Sequence, residues 1–243
     1  MVDIEDSLSR YRHGILGRRN RIRVQSHNGR YVRPVPYGWK GIVHGIALDA
    51  TLRAKALGAD GRDALRVKLR ERNQGRLIVF AVDASDSMGS DSRLRAAKGA
   101  VLGLIRQAYQ RRERVALVVF EGEAAQVVVP ATASFSLARE RLRQLRLGGA
   151  TPLAQGLWTA WQLCRNERKK DPGLAATIVV LTDGASNVSI RKGASIWPEL
   201  MDIGRQIRKE GIGVAFVETN QRYRRSLNLE NLAKACGGKV QVI

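Results

Sequence analysis

Residues 77–89 read LIVFAVDASDSMG, an apolar run that leads directly into a loop of oxygen-bearing side chains. The run Leu77–Val82 predicts a fully buried β-strand of a parallel sheet. In the loop, the spacing Asp83-x-Ser85-x-Ser87 puts three side chains on one side of an extended backbone, because alternate residues point the same way. Hard cations such as Mg²⁺ prefer hydroxyl and carboxylate oxygens. The stretch therefore predicts a strand that ends in part of a metal site.

From Arg76 onward, short apolar runs alternate with amphipathic stretches, as in a series of βαβ units. The further predicted strands are Val115–Phe120, Ala125–Val129, Thr177–Leu181, Ile212–Val217 and Lys239–Ile243, and the predicted helices are Arg93–Arg111, Phe135–Leu145, Pro152–Arg168, Trp197–Lys209 and Leu229–Cys236. Only Glu121–Glu123 separate two of these strands, too few residues for a crossover, so those two must form an antiparallel hairpin. We predict an α/β fold with a doubly wound, mostly parallel sheet and one antiparallel edge strand.

The sequence before Arg76 has a different character. Arg10–Arg33 is basic and turn-rich, Ile46–Leu57 predicts a helix, and Ala64–Arg72 alternates apolar and basic residues as an edge strand with a solvated basic face would. We therefore predict a basic amino-terminal extension, residues 1–75, that packs on a main domain, residues 76–243.

A formal net charge of +20 indicates an anionic partner, which could be nucleic acid, anionic lipid or an acidic protein. Lys and Arg outnumber Asp and Glu in both parts of the chain, 16 to 7 in residues 1–75 and 26 to 15 afterwards. This spread disfavours a tail that binds nucleic acid. An aromatic content of 5% and the absence of a base-reading motif also count against nucleic acid, which stays an alternative.

The sequence shows no membrane-spanning run, targeting peptide or redox-active cysteine motif. No apolar run reaches the roughly 18–20 residues of a membrane span, and the opening MVDIEDSLSR resembles neither a signal peptide nor a transit peptide. We therefore expect a cytoplasmic protein. Cys164 and Cys236 lie far apart without metal-ligand spacing, which predicts buried free thiols.

Two further loops at the predicted carboxyl edge of the sheet carry matching side chains: Gly148–Pro152 contains Thr151, and Leu181–Gly184 contains Asp183. Taken singly, an Asp, Ser or Thr before a helix is usually an N-cap. Taken together, the loops follow consecutive elements in the right order to meet at one edge. The sequence thus predicts one divalent-metal site formed by Asp83, Ser85, Ser87, Thr151 and Asp183.

These loops resemble the metal-ion-dependent adhesion site of von Willebrand factor A domains. The resemblance extends to the D subunit of magnesium chelatase and covers most of residues 17–243. It is carried by AVDASDSM, LRAAKGAVLGLI, AYQRRERVALVVF, GEAAQVVVP and GGATPLAQGL, with NGRYVRPVP and ALDATLRAKA upstream.

The resemblance implies that Ser85, Ser87 and Thr151 coordinate Mg²⁺, with Mn²⁺ as a substitute ion, and that Asp83 and Asp183 act partly through water. An acidic side chain of a partner would complete the coordination, so the metal would be adhesive rather than catalytic. The implied protein is a non-catalytic subunit of an ATP-dependent tetrapyrrole chelatase for magnesium or cobalt. Its partner would be the AAA+ subunit, the large porphyrin-binding subunit, or both.

Two departures from the family pattern stand out. Asp86 replaces the glycine usual between the two serines, which adds negative charge where the metal and an acidic partner would meet. The AAA+ module and acidic linker usual in the D subunit are missing from this sequence, and it has no G-x-x-x-x-G-K-[ST] run, so we expect this chain to bind no nucleotide.

Other features of the sequence have both a functional and a plainer interpretation. Basic residues near the predicted metal edge, Arg191, Lys192, Arg222 and Arg224, belong either to solvated loops or to a surface that steers an acidic partner. Trp158 and Trp161, three residues apart on a predicted helix, are interpreted as core, with a binding platform as the alternative. A hydrolytic enzyme is the least favoured function, because no histidine or spare carboxylate pair accompanies the predicted site.

Overall fold

A computed structural model describes residues 23–41, 43–85, 91–144, 150–190, 195–218 and 227–242. The chain divides into two compact units that meet in sequence between Gly75 and Arg76. The packing of the amino-terminal extension on the main domain stays a prediction.

The smaller unit contains a three-stranded antiparallel sheet. Its elements are β1 (Arg23–Pro36), β2 (Val43–Ile46), α1 (Leu48–Ala56), α2 (Gly61–Ala64) and β3 (Arg66–Asn73). The prediction of an edge strand over Ala64–Arg72 is wrong, since β3 lies between β1 and β2. The predicted helix over Ile46–Leu57 begins later than expected, because Ile46 ends β2.

β1, which pairs with β3, overlaps the stretch Arg10–Arg33 that the sequence led us to interpret as turn-rich. β1 contains a register irregularity between Gln25 and Arg30, which takes up the turn-like residues. Gly29 lies so close to the backbone of Glu71 that an added Cβ would come within 2.5 Å of it. The turn-like residues therefore form an insertion within a strand rather than the end of one, since Gln25 and Arg30 both align with Glu71.

The larger unit is built on a sheet of six described strands in the order β6-β5-β4-β7-β8-β9. The strands are β4 (Arg76–Asp83), β5 (Arg114–Glu121), β6 (Ala124–Thr132), β7 (Ala175–Thr182), β8 (Gly213–Glu218) and β9 (Lys239–Val242). Only the edge strand β6 runs antiparallel to its neighbour among these six. The predicted fold, a mostly parallel sheet with one antiparallel edge strand, is confirmed.

Helices cover both faces of this sheet: α3 (Asp91–Gln110), α4 (Phe135–Arg143), α5 (Leu153–Lys170), α6 (Ile196–Lys209) and α7 (Leu227–Cys236). On β4, Leu77, Val79 and Ala81 belong to the core cluster shared with α5, α6 and α7. Ile78 and Phe80 belong to the opposite cluster, shared with α3 and α4. Successive strand residues alternate between faces, so the sheet is covered on both sides, as the doubly wound prediction requires.

Cys164 and Cys236 are buried and free, as predicted. Burial raises the pKa of each thiol to about 12, so neither is a thiolate near neutral pH. Among the described helices, none has both the length and the apolar character needed to cross a membrane.

The parallel register brings the ends of three strands to one edge. Asp83 ends β4, Thr182 ends β7 and Glu218 ends β8, with Thr182 and Glu218 directly paired. Helix α5 reaches the same edge because Gly156, in its first turn, lets it approach β5 closely. A Cβ on Gly156 would lie 2.3 Å from the Phe120 ring. This approach holds the amino-terminal end of α5, and with it Thr151, at the carboxyl edge.

Candidate metal site

Asp83 is fully buried at the end of β4, and both of its carboxylate oxygens accept hydrogen bonds. Oδ1 accepts from the backbone N–H of Ser85 at 3.0 Å, and Oδ2 accepts from Oγ1 of Thr182 at 3.0 Å. The first bond folds the chain back over the strand end, as Asx turns do. The carboxylate is therefore held in one orientation at the sheet edge.

Burial raises the pKa of Asp83 to about 6. Hydrogen bonds from Ser85 and Thr182 favour the carboxylate, whereas the negative charge of Asp183 adds to the upward shift. Among the described side chains, no lysine or arginine forms an ion pair with Asp83. A buried carboxylate without a basic partner favours a bound cation over the empty site.

Two hydroxyl groups from distant parts of the chain meet beside this carboxylate. Oγ1 of Thr151 donates a hydrogen bond to Oγ of Ser85 at 2.9 Å, and both residues are buried. The described residues contain no cluster of three His, Cys, Asp or Glu side chains that could hold a metal. The donors near Asp83 are thus hydroxyls with few carboxylates, which fits a hard, hydrated ion such as Mg²⁺ better than zinc or calcium.

Asp183 follows β7 at the same edge. It is half-buried, its Oδ1 accepts from the backbone N–H of Ala185 at 2.9 Å, and its charge acts on Asp83. The structure therefore brings four of the five predicted metal residues to one edge: Asp83, Ser85, Thr151 and Asp183. The other predicted site residues, Ser87, Asp86, Arg191, Lys192, Arg222 and Arg224, lie outside the described residues.

Two residues that sequence reasoning missed hold this arrangement. Thr182 hydrogen bonds to Asp83, as above. Asn187 brackets Thr151: its Oδ1 accepts from Thr151 N–H at 2.7 Å, and its own N–H donates to the Thr151 carbonyl at 3.3 Å. Thr182 immediately precedes Asp183 and could have been suspected from the strand register. Asn187 lies 36 residues after Thr151, so no local sequence pattern indicated its contact with Thr151.

The two tryptophans of α5 differ in environment. Trp161 is buried, and its Nε1 donates to Oε2 of Glu210 at 3.0 Å. Trp158 packs edge-on against Trp161, with 5.0 Å between ring centroids, but remains 39% exposed. The prediction of a core position is confirmed for Trp161 and wrong for Trp158, because the helix turns the outer ring toward solvent.

Comparison with known proteins supports the fold assignment. The family model for the von Willebrand factor type A domain matches residues 78–185, which contain the strand and loop of Asp83, Thr151 and Asp183. The structure of a von Willebrand factor type A protein from Catenulispora acidiphila is similar, with a TM-score of 0.55 and 21% identity over 73% of this chain and 40% of that one. The SpRpn10 VWA domain gives a TM-score of 0.54 at 10% identity, covering 70% and 88%.

The more similar sequences include chelatase subunits. The chain is 34% identical over 192 residues to the magnesium-chelatase 67 kDa subunit of Chlorobaculum tepidum, covering 74% of this chain and 30% of that protein. It is 42% identical to the uncharacterized protein Rv2850c of Mycobacterium tuberculosis, covering 58% and 24%. The chain thus spans less than a third of either relative.

A shorter relative is matched over most of its own length. The uncharacterized protein MJ0910 of Methanocaldococcus jannaschii is 31% identical to the chain, covering 54% of this chain and 75% of that protein. The fold and the family match agree. Residues 78–185 of the chain belong to the von Willebrand factor type A domain family.

Proposed function

We propose that this chain is a non-catalytic, Mg²⁺-dependent protein-interaction subunit of an ATP-dependent tetrapyrrole metal chelatase that acts in the cytoplasm. The observation that carries the proposal is the buried Asp83 carboxylate, which has two buried hydroxyls beside it and no basic partner among the described residues. The identity with magnesium-chelatase subunits supports the choice of complex.

In this proposal, the hydroxyls of Ser85, Ser87 and Thr151 would bind Mg²⁺ or Mn²⁺, and Asp83 and Asp183 would orient bound water. A bound cation would supply a coordination position for an acidic side chain of the partner, in a site where little water competes for it. The chain's own contribution is orientation. Thr182 and the Ser85 backbone hold Asp83, and Asn187 holds Thr151.

A binding role suits this geometry better than catalysis. Both oxygens of Asp83 already accept hydrogen bonds from the protein, so this carboxylate is poorly placed to take a proton from a substrate. The formal charge of +20 would speed association with an acidic surface. The proposed partners are the AAA+ subunit, the large porphyrin-binding subunit of the same complex, or both, each bound through an acidic side chain.

The direct test is binding of the purified chain to each of these two subunits from the same genome, with Mg²⁺ and with EDTA. We expect binding that requires Mg²⁺ and is lost in Asp83→Ala and Asp83→Asn. Glu140→Gln, which neutralises an exposed carboxylate on α4, is the control and should bind like the wild type. Failure to bind either subunit with Mg²⁺ present, or undiminished binding by both Asp83 variants, would overturn the proposal.

Nucleic-acid binding is the second candidate, favoured by the charge of +20. It would show a strong dependence on salt and no dependence on chelators, because phosphate contacts release counterions and need no metal site. A gel-shift titration with single-stranded and duplex nucleic acid in EDTA separates the two candidates.

A further inference from the structure

A cavity of about 530 Å³ opens between α5 and α6 of the larger unit. The described residues around it include four large apolar side chains and two acidic ones: Trp158, Trp161, Ile190, Ile203, Glu199 and Asp202. Trp158 and Ile190 are each 39% exposed, so the apolar wall is open to solvent. A volume of this size accommodates one or two large side chains of a partner.

One short segment connects this cavity to the candidate metal site. The segment begins at Asp183, and Asn187 within it brackets Thr151. Three residues later, the backbone N–H of Ile190 donates to Oε2 of Glu199 at 2.8 Å, which fixes the segment to α6 at the cavity wall. Trp158 lies seven residues after Thr151, and the helix from Leu153 to Trp158 rises about 7.5 Å, so the two residues are separated by on the order of 10 Å along the chain. A single extended peptide can therefore reach both places.

The charge of the cavity differs from that of the chain. In a protein with a formal charge of +20, two carboxylates, those of Glu199 and Asp202, line this opening. Asp202 is paired with Arg205, but both side chains are more than 60% exposed, so solvent weakens this ion pair. An apolar wall with carboxylates beside it is complementary to a large apolar side chain next to a lysine or arginine.

We propose that this cavity is the second contact point for the same partner segment whose acidic side chain completes the metal site. The segment carries an acidic residue for the metal and, about 10 Å away, a large apolar side chain beside a basic one for the cavity. This inference rests on the proposed function and adds a specificity rule to it. The metal selects for an acid, and the cavity selects, among acidic segments, those with a basic and apolar neighbour.

The test uses the full chain and the purified AAA+ and large chelatase subunits, with Mg²⁺ present. Trp158→Ala removes the exposed part of the apolar wall, and Asp202→Lys reverses one of the two negative charges. We expect each substitution to weaken Mg²⁺-dependent binding at least about tenfold. Glu140→Lys makes the same charge change on α4, on the other face of the sheet, and should stay within about twofold of wild type.

The outcomes separate the two proposals. Mg²⁺-dependent binding that neither Trp158→Ala nor Asp202→Lys weakens leaves the proposed function standing and overturns this inference. Absence of binding to either subunit overturns both. Should Trp158→Ala fail to fold, as judged by circular dichroism, Asp202→Lys decides alone, because its side chain is exposed and contributes little to stability.

A photocrosslinking experiment identifies the occupant of the cavity. With p-benzoylphenylalanine in place of Trp158, irradiation of the Mg²⁺-dependent complex should attach a partner peptide, which mass spectrometry then identifies. We expect that peptide to contain a large apolar residue adjacent to lysine or arginine, with an acidic residue nearby. A crosslinked peptide without a basic residue, or no crosslink in a complex that forms, contradicts the inference.

Discussion

The two edges of the parallel sheet treat buried carboxylates in opposite ways. At the amino edge, Glu167 of α5 is paired with Arg114 and Lys170, and Glu113 lies 3.3 Å from Arg76. At the carboxyl edge, Asp83 is as deeply buried but has no basic partner among the described residues. At the amino edge, arginine and lysine side chains of the chain neutralise the buried carboxylates. At the carboxyl edge, the negative charge of Asp83 has no such partner among the described residues.

The pKa shifts follow this contrast. Burial alone would raise the pKa of Glu167, but hydrogen bonds and positive charge from Lys170 and Arg114 hold it below its ordinary value. Burial raises the pKa of Asp83 to about 6, and the nearby Asp183 adds to the shift. We therefore expect a cation to complete the carboxyl edge, whereas the amino edge is a structural ion-pair cluster.

The largest expected effect is a stabilisation. Asp83→Asn keeps the shape of the side chain and removes its charge. The single amide oxygen can accept from the Ser85 N–H, and the NH₂ group can donate to Oγ1 of Thr182 in place of the bond that Asp83 accepts. A pKa of about 6 in the folded protein, against 3.8 for an unperturbed aspartate, corresponds to about 3 kcal/mol. In EDTA at neutral pH the variant should therefore be more stable than wild type by up to about that amount. Urea unfolding of the two proteins measures it. A variant less stable than wild type in EDTA would contradict this prediction.

The same contrast predicts that the free energy of unfolding of the wild type depends on pH, by an amount similar to the gain expected for Asp83→Asn. The pKa of Asp83 is about 6 when folded and near 3.8 when unfolded, so between these values the folded state binds more protons. The contribution of Asp83 to stability therefore decreases as pH rises from about 4 to about 6 and is constant above that range. The stability difference between Asp83→Asn and wild type, in EDTA, should grow over this window. A difference that is independent of pH between 4 and 7 would contradict the assignment.

At the amino edge the corresponding neutralisation should destabilise. Glu167→Gln removes the charge that Arg114 and Lys170 share, and we expect a loss of about 1–2 kcal/mol in the free energy of unfolding. Unfolding with and without added salt measures it. Glu140→Gln, on the exposed surface of α4, should change stability by less than about 0.5 kcal/mol. A Glu167→Gln protein as stable as wild type would remove the contrast between the two edges.

The smallest expected effect concerns Asn187. Asn187→Ala removes the side-chain acceptor for Thr151 N–H, and loss of such a supporting hydrogen bond should weaken Mg²⁺ binding about tenfold. Asn187→Asp keeps an acceptor at the same position and should restore binding. Isothermal titration with Mg²⁺ compares the three proteins. Equal affinities would show that Asn187 does not position Thr151 for the metal.

The sequence predicted the sheet of the larger unit well, because its strands are apolar runs and the short connection between β5 and β6 requires an antiparallel hairpin. It was less informative where pairing is irregular. Arg10–Arg33 was interpreted as turn-rich, yet β1 covers Arg23–Pro36 and makes β3 a central strand. Periodicity also failed to separate Trp158 from Trp161, since residues three apart share one side of a helix.

For the candidate site, the sequence predicted the loops that meet, but not what holds them. Asp83, Ser85 and Thr151 could be predicted because each follows or precedes an element that ends at the same edge. The bonds from Asn187 to Thr151 depend on the path of a loop that contains no periodic pattern. The absence of a basic partner for Asp83 among the described residues is likewise a property of packing, which the local sequence does not encode.

The most direct test of the central claim, that the carboxyl edge binds a divalent cation through Asp83, is an Mg²⁺ titration of the free energy of unfolding at neutral pH. The wild type should be stabilised progressively, by about 2.7 kcal/mol when Mg²⁺ reaches a hundredfold excess over its dissociation constant. Asp83→Asn should show no such gain. An unchanged wild type, or an equal gain in both proteins, would contradict the account.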